Sequence, residues 1–345
     1  MFVRLAAVTI AVIGVLALSV AGCGGDDGDT SPAEEEPATP ASTEEASLPK
    51  PISVEGAKRV DLSDRLLTRI SIPSPDWMVF AFGSLWVKRD DGRVVRVDPE
   101  TSKVLAEIGP GPLGQHSCQG IGASDEAIWS CPPGVAIQRI DPEANSVAAT
   151  IRIDKLQDQG RLVSAADRVW ALTDSGAKLT AIDPRTDRPA ERVALGGRCA
   201  ELATAGDALW AMCPLEDRLL RIDAKAREVS DELALPGATN ASVGDDLWVG
   251  FEGGVAQVDP RTLDVLAVYD VHPRYGGSIF AADEAVWVRE EGGGFLTRID
   301  PEAQRIVETI RAPALPSGGD VVQIDDSVWA TAYDDATLVE LSAGP

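Results

Sequence analysis

Four cysteines, two histidines and a few arginines are the side chains of this 345-residue chain whose spacing invites a chemical reading. Cys118 and Cys199 each precede a tryptophan by eleven residues; Cys131 and Cys213 follow the same two tryptophans by two and three. Thiols paired at recurring offsets predict the disulfides Cys118–Cys131 and Cys199–Cys213. Each closes a loop of about 14 residues, worth roughly 3 kcal/mol when the unfolded chain is constrained. A four-thiolate metal centre is the rival use, but the spacing fits no zinc ribbon. His116 and His272 are the only histidines. An acid or base needs a partner within hydrogen-bond reach, and the sequence shows no such pair. No Ser nucleophile elbow, calcium loop or phosphate loop appears, and the stretch EEGGGF at 290–295 reads as a hairpin loop.

These residues hang on a repeat. Trp86, Trp129, Trp170, Trp210, Trp248, Trp287 and Trp329 are spaced by 43, 41, 40, 38, 39 and 42 residues. A second marker follows each by 11 to 13: Asp98, Asp141, Asp183, Asp223, Asp259 and Asp300, with Ser342 in the last unit. Such a period with short Val-, Leu-, Ile- and Thr-rich runs indicates propeller blades. No unit has room for a crossover helix, so each reads as an antiparallel meander of four strands. Gly206-Asp207, Gly244-Asp245, Asp283-Glu284 and Asp325-Asp326 suit a hairpin before the tryptophan strand. Trp then packs between neighbouring blades, and Asp-Pro makes the turn after the third strand. These repeated acids are therefore scaffold. Unit seven lacks a fourth strand, and a stray strand of that type lies at 66–73. Pairing the two closes an all-β, seven-bladed propeller and hides both edges.

The pattern Leu-Trp-Val, then Arg-Val-Asp-Pro-Glu-Thr and a Val-x-x-x-Ile strand, resembles the YVTN/virginiamycin B lyase-like propeller superfamily over residues 66–345. The resemblance is specific for fold and nearly mute about chemistry. Lyase members use His and an acid with magnesium, and that arrangement maps onto no matching positions here. Fold analogy places a ligand entrance on the face shared by the links between blades and the second-to-third-strand loops. The links bring Asp76, Trp77, Gln115, His116, Gln159, Arg161, Arg198, Asn240, His272, Arg274, Tyr275 and Asp320 to it, and the loops bring Lys88, Arg89, Glu290 and Asp334. The candidate ligand residues are Trp77, His116, Arg161, Arg198, Asn240, His272, Arg274 and Tyr275. Arg161, Arg198 and Arg274 can form a fork for a carboxylate or phosphate; the plainer reading, preferred here, pairs them with nearby acids. Trp77 either stacks on a sugar or aromatic ligand, or plugs the channel or packs beneath a loop. The expectation is a binding or scaffold module for a protein, glycan or small molecule, monomeric and without cofactor. The alternative is a lyase or lactonase with a divalent metal.

Composition bounds the partners. The formal net charge is −24, which disfavours phosphate backbones and so nucleic acid. Residues 1–22 carry one early charge, Arg4, and an apolar run, as a secretory signal does. Val20-Ala21-Gly22-Cys23 resembles a bacterial lipobox, which makes Cys23 an acylated anchor in membrane lipid at the outer face of the cell membrane. Residues 24–50 hold eight acids and no aromatic ring, and cannot bury enough to order themselves. The expected organisation is signal peptide 1–22, tether 23–62 and propeller 63–345.

Overall fold

In the computed structural model, which describes residues 48–109, 120–132, 134, 136–157, 160–273, 278–290 and 294–344, each repeat unit forms one antiparallel sheet. Seven four-stranded antiparallel blades make a β-propeller, the sixth carrying a fifth strand on its outer edge. Blade one consists of Pro75–Ala81, Ser84–Arg89, Val94–Asp98 and Lys103–Ile108, hydrogen-bonded in chain order from the inside outward. Blades two to six repeat this over 121–152, 163–194, 201–234, 240–269 and 279–311. Blade seven takes three strands from 321–342 and its outermost from Leu66–Ser71, which runs antiparallel to Thr337–Ser342. The closing strand thus stands where the missing fourth strand was expected.

The tryptophans explain why the ring holds. All seven lie on second strands and are 0–2% exposed. Trp86 packs with Ile121, Ile128 and Ile140 of blade two, Trp170 with Leu202 and Leu209 of blade four, and Trp329 with Met78 and Leu85 of blade one. A ring of that size buried between sheets supplies a large apolar area per residue. Some indole N–H groups stay local: Trp86 donates to the Ala81 carbonyl at 2.9 Å and Trp170 to that of Ala165 at 3.1 Å, pinning the hairpin that precedes each, whereas Trp287 reaches Gln323 of blade seven. The marker aspartates act as turn acceptors. Asp141 accepts from the amides of Glu143 and Ala144 at 2.8 and 2.9 Å, and Asp223 from Lys225 and Ala226 at 2.8 Å each. Backbone donors hold the Asp141 carboxyl below its usual range.

A second set of ties was not anticipated. The arginine two residues before Asp-Pro lies opposite the tryptophan and reaches the following blade. Arg96 donates to Pro142 O and Asn145 Oδ1, Arg139 makes a two-point contact with Asp187, and Arg298 donates to Ala343 O. Between blades seven and one the polarity reverses, and Ser102 donates to Glu340 at 2.6 Å.

The amino-terminal boundary differs from the expected one. Ile52 bridges Tyr269 on the outer strand of blade five, and Lys58–Asp61 pairs in parallel with Arg305–Arg311 of blade six. Residues 52–71 therefore follow the outer edges of blades five, six and seven in turn, and the propeller begins before residue 63. Only Val60 of the four residues in Lys58–Asp61 is buried, so the segment carries little apolar signal. Arg65 anchors it through Glu308, 2.9 Å away and 2% exposed.

The disulfide Cys199–Cys213 is present. Cys118 lies outside the described residues, and with it the pairing Cys118–Cys131. The same holds for residues 1–47 including Cys23, and for Gln115, His116, Gln159, Arg274 and Tyr275.

Candidate functional site

Inner strands begin, and second strands end, on one face: Pro75 pairs with Arg89, Glu201 with Met212, Val321 with Ala330. A cluster of charges meets at the axis on that face. Arg161, just ahead of the inner strand of blade three, crosses the ring to blade seven, where its Nη2 donates to Asp320 Oδ1 at 2.8 Å. Nη1 lies 3.4 Å from the Met78 carbonyl of blade one, and the guanidinium sits 4.7 Å over the Trp77 ring. Glu201 of blade four accepts from the Arg161 amide at 3.0 Å and lies 4.0 Å from its Nε. Asp320 also accepts from the amides of Met78 and Val321, and its own amide donates to Thr331 Oγ1. Asp76 and Lys88 of blade one complete the cluster, 6% and 0% exposed. One guanidinium thus joins four of the seven blades.

Burial dominates the electrostatics. It pushes the Glu201 carboxyl up to about 7 against the opposing charge of Arg161, and the Asp76 carboxyl up to about 7 against Lys88. It pulls the Lys88 ammonium down to about 8. Burial also opposes charge on Arg161, but Asp320 and Glu201 outweigh it and hold the guanidinium ionised. The consequence for stability follows from proton linkage. Between about pH 4 and 7 the native Glu201 and Asp76 bind more protons than the unfolded chain does, so their contribution falls as pH rises. Between about 8 and 10.5 the unfolded chain binds the proton that native Lys88 has lost, so its contribution rises with pH. In urea unfolding, the stability gap between the native chain and Glu201→Gln is expected to move against the native chain from pH 5 to 7, by roughly 2–3 kcal/mol. A gap that is the same at both pH values would refute this assignment.

Three other expected ligand residues, Arg198, Asn240 and His272, stand apart from this cluster. Arg198 is exposed on the rim, its amide bonded to Glu216 at 2.9 Å. With Lys155, Gln157, Cys199 and Leu215 it lines a depression of about 610 Å³ beside the disulfide. Asn240 begins the inner strand of blade five opposite Gly250. His272 is half-exposed and 3.0 Å from Asp270. Arg161 and Arg198 therefore do not converge: one is turned inward and paired, the other faces solvent. Trp77 packs beneath Arg161. Glu201 escaped notice in the sequence; its signal is a lone acid opening an otherwise apolar first strand, ELATA.

Below the Arg161 bridge the axis opens into a cavity of about 400 Å³. Its wall is made by the inner strands of the blades, among them Val79, Phe80, Val163, Ala203, Val243 and Phe280. The bridge closes it toward the charged face, and it extends toward the face of the first hairpins, where Phe80 is 44% exposed.

No family model matches the sequence, and no curated protein matches it. Solved structures share the fold. A streptogramin B lyase is 16% identical, covering 80% of this chain and 95% of that one at a TM-score of 0.63. The Cps50 (Swd1) β-propeller domain of Myceliophteria thermophila is 16% identical, covering 80% and 98% at 0.64. BamB from Moraxella catarrhalis is 13% identical, covering 75% and 82% at 0.54. At such identities these likenesses establish the fold alone, and with the sheets described above they define the class, a seven-bladed β-propeller.

Proposed function

We propose that the protein is a non-enzymatic binding module, carried on the outer face of the cell membrane through acylated Cys23, with its ligand seat in the central channel. The observation that carries this reading is the Arg161 bridge. The buried carboxylates that could act at the axis, Asp320 and Glu201, are engaged with one guanidinium and with backbone amides. Beneath them lies the cavity, of the size and apolar character of ligand sites. The apolar run before Cys23 and the acidic segment after it support the lipid anchor.

The lyase or lactonase alternative needs residues that hold a divalent ion. Among the described residues no group of three or more His, Cys, Asp or Glu is placed to do so, and Asp320 and Glu201 would have to surrender Arg161 first. Metal analysis of the purified protein separates the readings. The binding reading expects a substoichiometric divalent ion and a melting temperature unmoved by chelator. One ion per chain, with a melting temperature that falls on chelation, would overturn it.

A further inference from the structure

The channel's chemistry narrows the ligand. Apart from Arg161, its wall carries four polar side chains, and each is already bonded. Ser164 Oγ donates to the Ala123 carbonyl at 2.7 Å and Thr204 Oγ1 to that of Ala208 at 3.1 Å. Ser242 Oγ accepts from the Ala281 amide at 3.0 Å. Gln323 accepts from the Trp287 indole at 2.7 Å and donates to the Asp325 carbonyl at 3.0 Å. A polar ligand would exchange its hydration for few new partners, whereas an apolar one loses nothing on entry. At the hairpin-face mouth stand Phe80 and Phe82, 44% and 39% exposed, in a chain with six phenylalanines.

Around that mouth the first hairpin of every blade from two to seven presents an exposed carboxylate: Glu126, Asp167, Asp207, Asp245, Asp283 and Asp325 stand for the six turns. Asp207 alone of these is paired with a lysine, Lys225. Blade one breaks the ring with Phe82-Gly83 where the others place acids. An apolar bore inside an acidic collar selects both ends of its occupant.

We infer that the channel takes a cationic amphiphile: an apolar tail enters from the hairpin face past Phe80 and Phe82, and a positively charged head rests on the acidic collar. This rests on the binding-module reading and says which ligand class that module holds. Each exposed carboxylate contributes little after screening, but six turns acting together favour a monocation over a monoanion by about tenfold at 0.1 M salt.

Titration calorimetry of the full chain with octyltrimethylammonium, octyl glucoside and octyl sulfate, each below its micelle concentration, tests this. The expected order of affinity is ammonium, glucoside, sulfate, spanning about tenfold and shrinking as salt is raised. Phe80→Ser, at an exposed position, should weaken all three together. The combination Asp245→Asn, Asp283→Asn and Asp325→Asn should roughly halve the preference on a logarithmic scale while sparing the glucoside. Equal affinity for the three heads, or a preference for sulfate, would overturn the cationic class and leave the binding module standing. Binding unaffected by Phe80→Ser would place the tail outside the channel, and no binding of any probe would overturn the channel as a seat altogether.

Discussion

Replacing Arg161 with methionine is expected to cost the folded protein about 3–5 kcal/mol. The guanidinium is the cation between two carboxylates whose side chains are 1% and 6% exposed, Asp320 and Glu201. Methionine fills similar volume and keeps the contact with Trp77, so the loss is chiefly electrostatic: two buried acids face each other with no compensating charge. Arg161→Lys should fall between the two, because an ammonium restores the charge but cannot address Asp320, Glu201 and the Met78 carbonyl at once. Urea denaturation near pH 7 reads the difference. At lower pH the penalty should shrink, since the Glu201 carboxyl, raised to about 7, takes up a proton. Methionine tolerated within about 0.5 kcal/mol would mean that the bridge holds nothing together.

Removing the closing strand should have an effect as large. A chain beginning at residue 74 lacks Leu66–Ser71, leaving the outer edge of Thr337–Ser342 unpaired, and it lacks Ile72, which is 2% exposed in the core between blades seven and one. It also loses Val60 and Leu62, buried against blade six, and the Arg65–Glu308 pair. The expected loss is on the order of 5 kcal/mol or more, comparable with the whole stability of a domain. An open edge of that kind also invites association between chains. A chain beginning at residue 48 keeps every one of these contacts and should unfold as the full chain does. Size-exclusion chromatography and urea unfolding of the two truncations, side by side, check this. A monomeric 74-start chain with an unchanged midpoint would contradict it.

The architecture could be read from the sequence because its signals are local and repeated. A tryptophan every 38 to 43 residues, followed by an aspartate at 11 to 13, reports one supersecondary unit seven times, and each copy corrects the others. The closing strand was visible for the same reason, as a unit short by one strand at one end and long by one at the other. The charged bridge was not. Its members, at 76, 88, 161, 201 and 320, come from four blades; Arg161, Glu201 and Asp320 each stand nine residues before their tryptophans, but the residue type changes from blade to blade at that offset, so no repeated marker points to them. The strand at Lys58–Asp61 is not legible in the sequence because only one of its four side chains is buried, so its place is set by backbone pairing rather than by apolar pattern. The arginine ties between blades were written plainly as Arg-x-Asp-Pro, yet their reach to the next blade is a tertiary fact that spacing alone does not convey.

A double-mutant cycle across the axis tests the bridge most directly. Arg161→Met, Asp320→Asn and the pair together, each measured by urea unfolding at pH 7, give the coupling between two residues 159 positions apart in sequence. A half-buried guanidinium 2.8 Å from a buried carboxylate predicts a coupling of about 2 kcal/mol or more. A coupling under about 0.5 kcal/mol would show that Arg161 is not committed to Asp320, and the charged face would then have to be reconsidered as a mouth whose acids are free to meet a ligand or a metal.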